Sequence, residues 1–245
     1  MADFSTFSER PPTLVSPAMA FDGFPETGLS FLRELGANNE RDWFESHRVA
    51  WDDQIIPSML AWCSELSARL RDVMPRLVFV PRVGGSIYRL NRDIRFSRDK
   101  SPYKTHVAAL MWEGNGEKHD APGVYLHVAP GEVIFGGGLY VFEEGRLDRF
   151  RKLLHNPESA ERLRSALAAA KKGGLKPDGE KLQRPPRGFD PEGPYADLAM
   201  YKGLVVAKTL KPAGWLHSKE ALDRSEAAAR AYAPLHVWLR DELCA

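Results

Sequence analysis

Hydrophobic positions between Leu29 and Val73 recur every three to four residues, the spacing of helices that bury one face. The first predicted helix carries the apolar positions Leu29, Phe31, Leu32 and Leu35. Gly36 should end it, and Asn39 is expected to cap the next helix. In that helix every fourth position is aromatic or aliphatic, namely Trp43, His47, Trp51 and Ile55. Pro57 should break or kink it before a further helix runs to about Val73.

After Pro75 the pattern changes to an alternation of apolar and polar positions, which is typical of strands separated by turns. Strands are predicted at 105–112, 124–129 and 133–141. The last two should form an antiparallel hairpin, because only the turn Pro130-Gly131 separates them.

Helical spacing returns after Glu143, with two helices that are split near Asn156-Pro157. The remaining predicted elements are a loop rich in Lys, Gly and Pro at 171–193, a short helix at 196–202, a strand at 204–210 and a final helix at 219–242. Helices followed by strands and then by helices are the order of an α+β fold, not of alternating βαβ units.

We therefore predict a single α+β domain over residues 21–245, preceded by a flexible tail at 1–20. Its sheet should be mostly antiparallel or mixed, built from about 78–141 plus 204–210, and packed by the N- and C-terminal helices.

Composition narrows the function classes. The chain has 245 residues and a net charge of +1, which argues against a general nucleic-acid coat protein but leaves a local basic patch open. Two cysteines without Cys-x-x-Cys spacing indicate neither a disulfide framework nor a zinc site, so we expect a reducing, cytoplasmic location and no cofactor or metal. No window of eighteen apolar residues exists, so no membrane partner is expected. The oligomeric state does not follow from the sequence.

Charged side chains are concentrated in the segment 82–106, which holds seven Arg and Lys but only two Asp, a local charge of +5. If this segment is extended, alternate positions form a buried face of Tyr88, Leu90, Ile94 and Phe96. The opposite face is then a polar row of Arg89, Asn91, Asp93, Arg95 and Ser97.

Guanidinium groups present fork-shaped donors that suit phosphate or carboxylate. The first hypothesis is therefore a binding or catalytic site for an anionic or phosphorylated small molecule, with no catalytic residue assigned. Its candidate ligand-binding residues are Arg89, Asn91, Arg92, Asp93, Arg95, Ser97, Asp99, Lys100, Tyr103 and Lys104.

Two alternatives fit the same residues. The segment could instead be a non-enzymatic binding surface for RNA or an acidic protein. It could also be a structural network in which Arg and Asp side chains pair along a solvated surface. Whether the protein is an enzyme stays open.

Two further features are candidates for a site. Three glycines in a predicted strand, Gly136, Gly137 and Gly138, indicate close approach either of a ligand or of another part of the chain that packs tightly against them. His106 and His127 fall in strands and could face one pocket, but no histidine pair has metal-ligand spacing. A hydrogen-bonded structural role is therefore favoured for each histidine.

The run from Tyr88 to Thr105, Tyr-Arg-Leu-Asn-Arg-Asp-Ile-Arg-Phe-Ser-Arg-Asp-Lys-Ser-Pro-Tyr-Lys-Thr, resembles the signature of a bacterial and fungal family catalogued as domain of unknown function 2461. The helix motif at 38–48 and the strand at 136–140 resemble that family as well. The resemblance extends from about Phe21 to Leu239. It implies a stand-alone cytosolic protein with no assigned reaction, so it supplies no catalytic residues.

Overall fold

The computed structural model describes residues 20–114 and 118–245. The tail predicted at 1–20 lies outside this range except for its last residue. Among the described residues, no helix is both long and apolar enough to cross a membrane.

One antiparallel sheet forms the centre of the fold. Its strands are β1 (Leu77–Val78), β2 (Val107–Glu113), β3 (Gly123–Ala129), β4 (Glu132–Leu139), β5 (Lys176–Asp178) and β6 (Leu204–Leu210). The spatial order is β1-β2-β3-β4-β6-β5, and every neighbouring pair is antiparallel. The hairpin of β3 and β4 and the separate strand β6 are strands that the sequence predicts.

Helices from both ends of the chain flank this sheet. They are α1 (Glu26–Ala37), α2 (Arg41–Ala50), α3 (Ile56–Arg69), α4 (Glu144–Leu154), α5 (Pro157–Lys172), α6 (Ala196–Ala199) and α7 (Glu220–Trp238). A π-helical turn, Trp51–Ile55, joins α2 to α3, and Pro57 lies in the first turn of α3. Asn156 caps α5 through its side chain. The predicted α+β class and the antiparallel sheet are thus confirmed.

Strand alternation gives the sheet two different faces. Toward the helices, Phe135 contacts Trp62 of α3 edge-on at 5.9 Å between ring centroids, and Gly137 lies against Tyr232 of α7. The opposite side, here called the outer face, is formed by the alternate positions of β2, β3, β4 and β6. Its side chains include Ala108, Leu110, Trp112, Tyr125, His127, Ile134, Val205, Ala207 and Thr209.

The extended conformation on which the two faces of 86–97 depended does not form. Only isolated bridges form in this segment, from Ile87 to Ala109 and from Asn91 to Tyr103. The predicted buried face fails with it, because Phe96 is 95% exposed and only Leu90 of the four apolar positions is buried. Side chains alternate between two faces only where a continuous ladder of backbone hydrogen bonds keeps the chain extended. Between Asn91 and Ser97 no such ladder forms.

Candidate functional site

The two segments at 38–48 and 88–105 meet at Asn39 and Tyr103. In the bridge between Asn91 and Tyr103, Arg92 N–H donates to the Pro102 carbonyl and Lys104 N–H donates to the Leu90 carbonyl. The backbone groups of Tyr103 therefore point the other way. The Asn39 side chain forms hydrogen bonds with both groups: its Oδ1 accepts from Tyr103 N–H at 3.0 Å, and its Nδ2 donates to the Tyr103 carbonyl at 2.9 Å.

The expected N-cap role of Asn39 is therefore wrong. Glu40 occupies the N-cap of α2 and makes no side-chain capping bond. Asn39 instead holds the backbone of Tyr103 close to α2. There the rings of Phe44 and Tyr103 pack with their centroids 4.6 Å apart.

Replacing Asn39 by alanine should lower the free energy of unfolding by about 1–2 kcal/mol, because two partly buried backbone groups lose their partner. Urea denaturation measures this loss. Asn38→Ala is the matched control, since Asn38 makes only an exposed bond to the Glu34 carbonyl. Equal losses for the two variants would contradict the bridging role.

A cleft of about 340 Å³ opens between α2 and the 83–103 segment. Its lining residues are Phe44, Glu45, Arg48, Trp51, Asp52, Val83, Arg89, Leu90, Asn91 and Tyr103. Inside it Arg48 pairs with Asp52 at 2.9 Å and with Glu45 at 3.4 Å, so its charge is neutralised within the protein. Three of the candidate residues, Arg89, Asn91 and Tyr103, thus share one wall.

Most of the other candidate residues form a self-contained loop at 92–101. Arg95 makes two bonds to the Asp93 carboxylate, of 3.0 and 2.7 Å, and Arg92 pairs with Asp99. Lys100 donates to the Ile94 carbonyl at 3.0 Å. Hydrogen bonds from Arg95 lower the pKa of Asp93. Hydrogen bonds from Ser101, followed by that from Arg92, lower the pKa of Asp99 to about 2.

Within this loop Arg95 and Arg92 therefore pair with aspartates of the loop itself. Its carboxylates and the Arg95 side chain are exposed. Ser97 lies at the edge of hydrogen-bond range, 3.5 Å from Arg92 Nη2.

Four other cations gather on the turn that precedes this loop. This basic cluster consists of Arg82, Arg89, Lys104 and Lys118. A Cβ atom on Gly84 would lie 3.4 Å from Arg89 Nε and 3.8 Å from Arg82 Nη1, so both guanidinium groups border the same glycine. Lys104 donates to the Arg89 carbonyl at 2.8 Å, and Lys118 donates to the carbonyl of Gly85.

The Tyr88 ring joins the two lysines. Lys118 Nζ lies 3.8 Å and Lys104 Nζ 5.8 Å from the ring centroid. Burial, and secondarily the charge of Lys104, lowers the pKa of Lys118 to about 8, and burial lowers the pKa of Lys104. Among the residues that the structure describes, no carboxylate pairs with any member of the basic cluster.

Aromatic and imidazole side chains border this cluster on the outer face. The rings of His106 and His127 stack with centroids 4.3 Å apart, and Tyr125 Oη lies 3.1 Å from His127 Nδ1. Burial lowers the pKa of both histidines, that of His106 to about 4, with His127 and Lys104 adding to the effect. Both imidazoles are thus neutral at pH 7. Within 20–114 and 118–245, no group of three or more His, Cys, Asp or Glu is arranged to hold a metal ion.

Comparison with known proteins assigns the chain to a family. A family model described as "Conserved hypothetical protein (DUF2461)" matches residues 27–238, which is most of the chain. The protein belongs to the DUF2461 family. A search of curated proteins and a search of solved structures each return no match. The resemblance of the sequence to this family is thus confirmed.

The glycines of the DUF2461 chain, Gly136 to Gly138, lie in β4, apart from the cleft. A Cβ atom on Gly137 would lie 2.3 Å from Tyr232 Cε1, and one on Gly136 would lie 2.6 Å from the Val206 carbonyl oxygen. Close packing against α7 and β6 accounts for them. No ligand is needed to explain this run.

Two members of the basic cluster were not among the residues singled out in the sequence. Arg82 contributes to the local charge of the segment, but its position beside Arg89 depends on the turn at Gly84, which has a φ of +80°. Lys118 lies in a polar stretch between strands, and nothing in its neighbours along the chain indicates that it folds back onto Gly85.

Proposed function

We propose that this DUF2461 protein binds an anionic small molecule at the basic cluster. The observation that supports the proposal is the meeting of four cationic side chains on one turn without a carboxylate partner among the described residues. Besides burial, the charge of Lys104 lowers the pKa of Lys118, as expected of like charges that repel one another. A bound anion would offset that repulsion, and it would also raise the lowered pKa of Lys118.

The donors suit a phosphate or carboxylate group. Two guanidinium groups supply fork-shaped N–H donors, and two ammonium groups supply point charge. Arg92 and Arg95, which the sequence placed in the same site, are engaged by Asp99 and Asp93 and are left out of the proposal. Arg89 is the cluster residue that also lines the cleft, so it connects the two features.

Titration calorimetry with inorganic phosphate and with phosphorylated metabolites tests the proposal. Arg89→Gln and Lys118→Gln should each weaken phosphate binding about tenfold, because each removes a charge-assisted hydrogen bond. Arg98→Gln is the matched control, since it removes the same charge from an exposed side chain in the same segment. Binding that is equal in the wild type and in Arg89→Gln would overturn the proposal.

The pH dependence of binding gives a second readout. Sulfate keeps its charge between pH 6 and pH 9, so changes in its affinity report on the protein. Lys118, with a pKa of about 8, loses its proton as the pH rises through that value. Sulfate affinity should therefore fall above pH 8 in the wild type and stay flatter in Lys118→Gln.

A second candidate function is suggested by the tip of the loop. Phe96 is 95% exposed and is flanked by Arg95 and Arg98, which suits a macromolecular partner such as RNA, whose bases stack on aromatic rings. In that case Arg98→Gln and Phe96→Ala would weaken binding of single-stranded RNA, and affinity would fall steeply with salt. Absence of RNA binding at low salt would remove this candidate.

A further inference from the structure

The outer face of the sheet carries an unexpected set of side chains. A sheet with helices on one side commonly presents polar residues on the other. Here the outward positions of β2, β3, β4 and β6 are aliphatic, aromatic or small over most of their length, and Glu132 at the start of β4 is their only carboxylate within the described residues. Several of these side chains, among them Tyr125, Ile134 and Ala207, are partly exposed.

This face lacks a projecting side chain beside Tyr125. In the register of the sheet Tyr125 lies opposite Gly136, and Gly136 lies opposite Ala207. Gly136 itself is buried, whereas Tyr125, Ile134 and Ala207 around it are partly exposed. The strip from Tyr125 across Gly136 to Ala207 therefore has no side chain standing up in its middle, which suits a planar group better than a bulky one.

Polar groups border the strip at both ends. On one side, the ring of Tyr88 meets that of Tyr125 edge-on at 6.4 Å, and Tyr88 carries the two lysines of the basic cluster. On the other side, His127 is more than nine-tenths buried, and its Nε2 has no hydrogen-bond partner among the described residues. The nearest carboxylate oxygen, Glu132 Oε1, lies 3.8 Å from that nitrogen.

We infer that the ligand of the basic cluster is a planar aromatic or heteroaromatic anion, whose ring lies on the outer face beside Tyr125 and Ile134. The inference rests on the proposed function, and it names the class of ligand. The phosphate or carboxylate group contacts Lys104 and Lys118, and a polar ring substituent reaches His127 Nε2. Charge complementarity selects this occupant, because the largely apolar face around Tyr125 and Ile134 ends at cations that have no carboxylate partner among the described residues.

Three anions with the same charged group separate the contribution of the ring from that of the charge. Calorimetry with inorganic phosphate, methyl phosphate and phenyl phosphate should give about tenfold tighter binding of phenyl phosphate to the wild type, because only its ring removes apolar surface from water. Ile134→Ser and Ala207→Gln should abolish this preference while leaving methyl phosphate affinity unchanged. Val49→Ser, which alters an exposed valine of α2, should change neither affinity.

The outcomes distinguish the two proposals. Equal affinities for methyl and phenyl phosphate in the wild type would overturn the inference and leave the anion site standing. Absence of binding by all three anions would overturn both. If the protein is a dimer that Ile134→Ser or Ala207→Gln converts to a monomer, the outer face is an interface between copies, and the inference is wrong.

Discussion

Replacing Glu113 by alanine should lower the free energy of unfolding by about 3–5 kcal/mol, one of the largest losses expected from a single substitution in this chain. Glu113 ends β2 and points toward α7, where it is 5% exposed. Its carboxylate accepts from Arg76 Nε at 2.7 Å and lies 2.8 Å from Nε2 of the fully buried His236. The alanine variant leaves His236 buried without this partner, and chemical denaturation monitored by tryptophan fluorescence measures the cost.

The contribution of Glu113 should depend on pH. Burial by itself raises the pKa of Glu113, but the hydrogen bonds from His236 and Arg76 outweigh burial and lower it overall. A carboxylate whose folded pKa is lowered stabilises the fold above its unfolded pKa of about 4.3 and loses that contribution as the pH falls through the folded pKa. The difference in stability between the wild type and Glu113→Ala should thus be larger at neutral pH than below about pH 4, where it narrows.

Two variants serve as controls for this prediction. Glu113→Gln keeps an acceptor and a donor at the same place, so it should lose less stability than Glu113→Ala. Asp93→Ala breaks the exposed pair with Arg95 and should not change the unfolding free energy measurably. An alanine variant at 113 as stable as the wild type would contradict a role of this pair in joining β2 to α7.

The strands and helices of this fold are predictable from the sequence because their periodicity is long and regular. The strand 204–210 is predicted with the bounds that the structure has, because its mainly apolar residues form a run of strand length. The final helix is predicted almost to its ends, because its apolar residues recur at helical spacing. In both elements a single face meets the core over the whole length, so local pattern and tertiary packing agree.

The segment 86–97 shows where this reasoning fails. Its alternation resembles that of a strand, but the loop at 92–101 closes on itself through Arg92–Asp99 and through Lys100, which bonds to the Ile94 carbonyl. Periodicity does not report such closures, because they depend on which charged side chains face each other after the chain turns. The sequence therefore locates the charged segment. It does not show that Arg92 and Arg95 pair with aspartates of the loop, whereas Arg89 belongs to the basic cluster.

The histidines and Glu113 illustrate a second limit. The sequence placed His106 and His127 in strands, but it gave neither their stacking nor the partner of His236. These contacts join residues that are far apart in the chain, and their pairing depends on strand register and on the position of α7. Only the folded arrangement supplies that information.

Replacing Gly137 by alanine should destabilise the protein by about 3 kcal/mol, at the upper end of the usual cost of overpacking. The added Cβ atom would lie 2.3 Å from Tyr232 Cε1 and 2.5 Å from the Gly123 carbonyl oxygen. Tyr232 is fully buried and Gly123 belongs to the neighbouring strand, so neither can move without disturbing the packing of α7 on the sheet. Thermal denaturation should show the loss as a lowered Tm.

Gly131→Ala is the matched control for this prediction, because Gly131 lies in the turn between β3 and β4 and a Cβ atom there would meet nothing within 4 Å. Its Tm should equal that of the wild type or lie slightly above it, since alanine restricts the unfolded chain. Gly137→Ala should cost less stability in the Tyr232→Leu background than in the wild type, because the smaller leucine side chain leaves room for the new methyl group. If Gly137→Ala costs the same in both backgrounds, contact with the Tyr232 ring is not what requires glycine at this position, and the approach of the Gly123 carbonyl has to account for it.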